Sequence, residues 1–221
     1  MTAVLRLRML GCFEVSADGV VVPESAWAYG RSRDLVKLLA LAPAHRLARE
    51  VVVEMLWPQL DADAGLSNLH KAAHHARRAL GSSAALVLRE GQVLLAPDAR
   101  VETDVELFEQ TGDPERYRGE LLPDDRYAPW TTERRDELWA QYLGALRAAG
   151  RWEQLAEADP TAEPAQRAVM HGRLAAGDRA GALRAFERLS DAQQAIGLRP
   201  EVETLALHAR APTVITTPRT R

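Results

Sequence analysis

The stretch "SNLHKAAHHARRALGSSAALVLREGQVLLAP", Ser67 to Pro97, decides the fold, because a helical period gives way within it to two short strands. Gly81 ends the helical part. The apolar runs that follow lie on either side of Glu90-Gly91, a pattern typical of a β-hairpin. The residues at helical spacing, which predict one buried face, are Leu69, Ala73, Ala76 and Leu80.

Together with the segments before it, this stretch gives the order of strands and helices that is typical of a winged helix. Alternating runs near the N-terminus, with Asp18-Gly19 as a turn, predict a small antiparallel sheet. Apolar spacing over residues 32–42 predicts a helix with Ser32 as its N-cap. A second short helix follows, and its predicted inward face consists of Val52, Met55 and Leu56.

The second half of the chain has a different pattern, in which helical segments alternate with short polar breaks. The tripeptide "AAG" recurs at 148–150 and 175–177, each time before a helical stretch, as in a small tetratricopeptide-like array. We therefore predict a mainly α protein with a small β component. It would comprise a winged helix-turn-helix at 1–102 (antiparallel sheet, three helices and a wing hairpin), an all-α tetratricopeptide-like domain at 103–211, and a linker or tail at 212–221.

Charge is distributed unevenly along the chain. The net charge is −3 over 221 residues, yet no acid occurs between Asp63 and Glu90. The face of the helix opposite its apolar residues is rich in hydrogen-bond donors, whereas ordinary solvated faces mix both signs of charge. The single cysteine, Cys12, excludes an internal disulfide and favours a reducing cytosol.

Three interpretations of the outward helix face remain open. His70 and His74 have the i,i+4 spacing of two metal ligands, but the glutamate of HExxH is absent and no third ligand follows. A solvated basic face is the second interpretation. Nucleic-acid recognition is the third, and the position of the helix between a turn and a hairpin favours it. Because no catalytic motif is found, we expect neither an enzyme nor a cofactor or metal.

Nine residues are candidates for contact with DNA. The outward helix residues carry donors that can reach base edges in a major groove, and the remaining arginines can contact the phosphate backbone. The predicted groove-facing set is Ser67, Asn68, Lys71, His74, His75 and Arg78. The predicted backbone contacts are Arg31, Arg33 and Arg89.

Several blocks, in order, carry a resemblance to a known family. They include "LRLRMLGCFEVSADGVVV", "RSRDLVKLLALAPAHRLAREVVVEMLWP", "YRGELLPDDRYAPWTTERRDELW" and "IGLRPEVET". Together they resemble the Streptomyces antibiotic regulatory protein (SARP) family, over about Leu5 to Ala209. The resemblance implies an OmpR-type winged helix, the kind also found in phosphorelay regulators, joined to a bacterial transcriptional activator domain.

The resemblance also implies a function. SARP-family proteins are cytoplasmic, nucleoid-associated transcription regulators, usually activators, that bind direct repeats near promoters. It implies a recognition helix at 64–80 and a wing at 87–95. It further implies double-stranded DNA and RNA polymerase as partners, a homodimer on DNA, and no membrane association.

Two departures from the family pattern support an alternative. The wing has Gln92-Val93 where family wings commonly carry Gly-Tyr, and the helical domain is short. The alternative is a helical-repeat interaction module, or the N-terminal regulatory part of a larger ATPase-type regulator, with weak or lost DNA binding. The tail "PTVITTPRTR" would suit the start of such an additional module.

Overall fold

The computed structural model describes residues 3–211, which form two compact units divided after Trp139. Within the described residues, the first unit contains seven strands, four α-helices and the first part of a fifth. The second unit contains the remainder of that helix and four further α-helices. The predicted tail at 212–221 lies outside the described residues.

A four-stranded sheet opens the first unit. Strands β1 (Val4–Arg8), β2 (Glu14–Ala17) and β3 (Val20–Val21) are antiparallel, and Asp18-Gly19 forms the second turn, as predicted. A fourth strand, β7 (Arg100–Thr103), pairs with β1 in parallel, with Leu5 opposite Val101. The sheet is therefore mixed in strand direction, and the segment after the hairpin closes it.

Three helices follow the first strands. Helix α1 covers Gly30–Leu41, α2 covers Arg49–Leu56, and α3 covers Ala62–Ala79. Helix α3 begins earlier than the apolar period predicts, because the Asp61 side chain accepts a hydrogen bond from the Ala64 N–H at 2.8 Å. Gly65 lets α3 approach α2 closely, since a Cβ there would overlap the Val53 side chain.

Two details of these helices differ from the prediction. Tyr29, not Ser32, is the N-cap of α1; Ser32 is fully buried in the first turn, and its Oγ donates to the Tyr29 carbonyl at 2.5 Å. On α2, Met55 is 42% exposed and Val53 is buried in its place. Val52 and Leu56 are buried as predicted, and Val53 takes the place of Met55 because it packs against Gly65 on α3.

The predicted hairpin is present. Strands β5 (Leu86–Arg89) and β6 (Gln92–Leu95) pair across Glu90-Gly91, and β4 (Arg46–Ala48) joins β6 to complete a three-stranded sheet. Glu90 and Gly91 both have positive φ, 51° and 75°, as a tight two-residue turn of the hairpin type requires.

The first unit continues beyond the hairpin. Helix α4 (Asp104–Thr111) begins directly after β7, and the Asp104 carboxylate accepts the Met9 and Leu10 N–H groups at 2.8 and 3.0 Å. Burial raises the pKa of this carboxyl although both hydrogen bonds favour its charged form. Helix α5 (Pro129–Ala148) then starts, and its buried Arg135 donates to the Leu121 carbonyl. These contacts anchor the segment after residue 103 to the first unit.

Within residues 140–211, the regular elements of the second unit are all helices. It contains α6 (Trp152–Ala158), α7 (Glu163–Ala175), α8 (Arg179–Ala195) and α9 (Val202–Ala209). Both "AAG" tripeptides lie where one helix ends and the next is about to start, as predicted. The apolar core of this unit includes Leu146, Leu155, Met170 and Leu207.

The fold class is confirmed: a small sheet, three helices and a hairpin are followed by helices. The compact units divide later than the predicted domain boundary at 102/103, because the residues after β7 are tied to β1 by hydrogen bonds. Within residues 3–211, no helix is both long and apolar enough to cross a membrane.

Candidate nucleic-acid interface

The inward face of helix α3 fixes the helix on its support. Leu69, Ala73 and Ala76 are completely buried, and so is Ala72. Helices α1 and α2 pack against this face, and the small alanine side chains allow the backbones to come close. The helix is therefore held firmly along its length, while its other side is left to solvent.

The outward face carries the predicted donors. Ser67, Lys71, His74 and Arg78 are exposed, whereas Asn68 and His75 are partly buried. The exposed four are spaced three or four residues apart, so they form one stripe along the helix. The helical-wheel assignment is thus reproduced in the structure. The capacity of this stripe to bind DNA stays a prediction.

Two members of the predicted set already have intramolecular contacts. The Asn68 amide donates to the Ala64 carbonyl at 3.0 Å, so one of its donor hydrogens is used within the helix. The His75 ring lies 5.6 Å from the Tyr29 ring and 5.5 Å from the His74 ring, measured between centroids. These contacts orient the two side chains before any ligand arrives.

Tyr29 is the residue that the sequence pattern missed. Its ring lies under the Lys71 ammonium, which is 4.8 Å from the ring centroid, a cation–π distance. Tyr29 precedes α1 and is far from α3 in sequence, so no local spacing could associate it with the candidate site. An aromatic residue just before a helix is also common in cores, and nothing in its neighbours marks it.

The hairpin tip carries the predicted wing cation. The Arg89 side chain is 67% exposed, and its Nε lies 3.8 Å from the Glu90 carboxylate, also exposed. The Arg49 N–H donates to the Gly91 carbonyl at 2.9 Å, so the N-terminus of α2 holds the tip. A surface ion pair of this kind is weak. Arg89 can therefore exchange Glu90 for a phosphate at little cost.

Arg31 and Arg33 are less free than the sequence suggests. Arg31 pairs with Asp34 at 3.1 Å, and Arg33 pairs with Glu24 at 3.0 Å. The Arg33 guanidinium also lies 5.1 Å from the Phe13 ring centroid. That Arg31 and Arg33 contact phosphate stays a prediction. Each arginine would have to release its carboxylate partner or bind the phosphate beside it.

Arg77 lies next to the stripe but serves the fold. Its Nε donates to the Leu86 carbonyl at 2.8 Å, which ties α3 to the first residue of the hairpin. The helix and the wing therefore keep a fixed relation to each other. Along α3 and its N-cap, the acidic residues are Asp61 and Asp63, which are exposed at the N-terminal end.

A metal site is not assembled by these histidines. Within residues 3–211, no group of three histidine, cysteine, aspartate or glutamate side chains is placed so that it could hold a metal ion. His74 and His75 instead contact each other edge to face. The structure thus brings together donors suited to an anionic partner.

No protein-family model and no curated protein sequence matches the chain. Among solved structures, Mycobacterium tuberculosis EmbR, in a complex with a low-affinity phosphopeptide, is similar with a TM-score of 0.62 and 18% sequence identity. The match covers 95% of this chain and 65% of the EmbR chain. At this identity the likeness shows a shared fold.

Proposed function

We propose that the protein is a sequence-specific DNA-binding transcription regulator in which α3 enters the major groove and the β5–β6 hairpin contacts the backbone. The observation that carries the proposal is the stripe of Ser67, Lys71, His74 and Arg78 on a helix whose opposite face is fully buried. The fold shared with EmbR and the resemblance of the sequence to the SARP family support it.

The dimensions and chemistry of the stripe suit a groove. A major groove admits one α-helix, and its base edges offer acceptors that Lys, Arg and Asn can reach. The alanine-lined inner face keeps the supporting helices close to α3, and the outer side chains project freely. Arg89, on the neighbouring hairpin, adds a cation where a wing would meet phosphate or the minor groove.

Charge also supports a local interface. The net charge of −3 would oppose binding of DNA by the surface as a whole. The acid-free run from residue 64 to residue 89 places four fixed cations, Lys71, Arg77, Arg78 and Arg89, on α3 and the hairpin. Attraction to DNA would therefore be confined to this side of the first unit.

The finer features come from the sequence resemblance. We propose that the protein activates transcription from direct repeats near promoters, as a homodimer on DNA, and that it contacts RNA polymerase. Because the chain spans 65% of the EmbR chain, activities of that whole protein are not carried over.

Binding can be tested without knowledge of the operator. Duplexes recovered by selection from a random-sequence library with the wild-type chain would serve as probes in fluorescence anisotropy. We expect Lys71→Ala and Arg78→Ala each to weaken binding by about 1 to 3 kcal/mol, since each removes a base or phosphate contact. The matched control is Arg118→Ala, which removes an exposed arginine in the loop beside Gly11, away from α3.

Salt dependence separates this function from the interaction-module alternative. Each phosphate contact contributes roughly 0.9 to the slope of log K against log salt concentration, so a steep slope is expected for the wild type. A variant that loses a phosphate contact should show a slope smaller by about one. If no duplex is enriched, or if Lys71→Ala and Arg78→Ala bind as tightly as Arg118→Ala does, the DNA-binding function is wrong.

A further inference from the structure

Tyr29 is held rigidly at the start of α1. Its carbonyl accepts two hydrogen bonds from Ser32, one from the N–H at 2.9 Å and one from Oγ at 2.5 Å. Ser32 itself is completely buried. The backbone of Tyr29 is thus fixed to the core of the first unit, and its ring has a defined position beside α3.

The Tyr29 ring contacts two residues of the outward face of α3. The Lys71 ammonium lies 4.8 Å from its centroid, and the His75 ring lies 5.6 Å away at an interplanar angle of 45°. Lys71 and His75 are four residues apart, one helical turn, so both can reach a single aromatic ring between them. The ring is therefore a shared support for two side chains of the candidate interface.

We propose that Tyr29 is a positioning residue of the DNA interface, an inference that rests on the proposed function. A lysine side chain has several rotatable bonds, and restricting them opposes binding. The ring restricts Lys71 in the free protein, so less freedom is lost when the ammonium meets DNA. The hydroxyl of Tyr29 is not needed for this role, because the attraction comes from the aromatic face.

Substitutions at Tyr29 distinguish positioning from a general structural effect. Tyr29→Phe keeps the ring and should bind the selected duplex as the wild type does. Tyr29→Leu removes the ring and should weaken binding about 2- to 5-fold, the size expected of an exposed cation–π contact. This loss should shrink in a Lys71→Ala background, where only the His75 contact of the ring remains to be lost, and persist in full in an Arg78→Ala background.

A second measurement needs no DNA. In the free wild-type chain, the methylene protons of Lys71 next to the ammonium should show upfield NMR shifts caused by the Tyr29 ring. Tyr29→Phe should retain these shifts and Tyr29→Leu should abolish them. Thermal unfolding of each variant identifies any loss of fold, and the NMR comparison of Tyr29→Phe with the wild type stands even if Tyr29→Leu is unstable.

The outcomes separate the two proposals. If the wild type enriches no duplex, the proposed function is wrong and the inference fails with it. If wild-type binding is intact, three results each overturn the inference alone: Tyr29→Leu binds like the wild type, its loss is the same with and without Lys71, or the Lys71 shifts are absent in the free protein.

Discussion

Lys37 shows how single charged residues are used inside the first unit. Its side chain is only 3% exposed, because it lies on the buried side of α1 among leucines. The Asp125 carboxylate accepts its hydrogen bond at 2.6 Å, and the ammonium is 4.9 Å from the Phe13 ring centroid. Asp34 lies farther away, at 4.0 Å. The Asp125 carboxylate and the face of the Phe13 ring take the place of the water that would otherwise hydrate the Lys37 ammonium, so the lysine can be buried.

We expect Asp125→Ala to destabilise the protein strongly, because it leaves the Lys37 ammonium buried without its main partner. The free energy of unfolding should fall by about 3 kcal/mol, toward the lower end for a broken buried pair because Asp34 remains nearby. Urea denaturation measures this change. Asp124→Ala removes the exposed neighbouring carboxylate and should change stability by less than about 0.5 kcal/mol. Equal losses in the two variants would show that the pair does not stabilise the fold.

Some residue assignments followed from the sequence and others could not. The buried positions Leu69, Ala73 and Ala76 were predictable because a helical period depends only on local spacing. The ion pair of Arg33 with Glu24 and the support of Lys71 by Tyr29 join separate segments, and no local period encodes them. Candidate site residues could therefore be named, but not their partners.

Helix α9 illustrates how an element is attached by a buried polar group. The Glu163 carboxylate, at the start of α7, accepts the N–H of Glu201, the N-cap of α9, at 2.7 Å, and the Gln193 amide at 2.9 Å. Burial alone would raise the pKa of Glu163. Hydrogen bonds from Thr204, Gln193 and the Glu201 N–H, with the charge of Arg167, instead hold it below its ordinary value of 4.5.

This arrangement makes the attachment of α9 sensitive to acid. Because the pKa of Glu163 is lower in the folded than in the unfolded state, its charge stabilises the fold above pH 4.5, and this contribution is lost as pH falls through the folded-state value. At pH 7, Glu163→Ala should cost about 2 to 3 kcal/mol, since it leaves the Gln193 amide, the Thr204 hydroxyl and the Glu201 N–H without their acceptor. The difference in the free energy of unfolding between Glu163→Ala and the wild type should become smaller below pH 4.5.

Two measurements check this prediction. The free energy of unfolding gives the total cost, and hydrogen exchange of the α9 amides shows whether that helix opens first. Glu157→Ala, an exposed glutamate on α6, is the matched control and should be nearly neutral. If the difference in the free energy of unfolding between Glu163→Ala and the wild type is the same at pH 7 and pH 3.5, the charge of Glu163 does not stabilise the fold.

Helices, turns and strands with a local sequence signal were predictable, whereas a strand that depends on pairing with a distant segment was not. Asp18-Gly19 and Glu90-Gly91 indicated their turns because glycine tolerates positive φ. Strand β7 was not predicted, because it exists only by pairing in parallel with β1, nearly a hundred residues earlier. Its short, charged sequence, Arg100 to Thr103, carries no strand pattern of its own.

At the scale of the whole molecule, the position of the division between compact units depends on those long-range contacts. The change in sequence pattern near Thr103 predicted a boundary there, whereas the structure divides after Trp139. The sequence pattern shows where helices begin to predominate. It does not show that Asp104 and Arg135 attach α4 and the start of α5 to the rest of the first unit.

Net charge belongs to the molecule as a whole, and it bears on how DNA binding responds to pH. Histidine is the side chain type that ordinarily gains charge as pH falls from about 7.5 to 6, and the sequence has six histidines and a net charge of −3 with histidine neutral. DNA affinity should therefore rise over this range. Two origins are distinguishable: a general decrease in repulsion, or local charge at His74 and His75 next to the duplex.

A matched pair of variants identifies the origin. His171→Gln removes an exposed histidine from α7 in the second unit, and His74→Gln removes one from the outward face of α3. Each variant removes one histidine from the chain, but only His74 lies in the candidate interface. We expect His171→Gln to retain the rise in affinity and His74→Gln to reduce it, measured by anisotropy at constant ionic strength. If both variants behave alike, the pH response belongs to the net charge of the molecule, and Lys71 and Arg78 are the main charged contacts of the stripe.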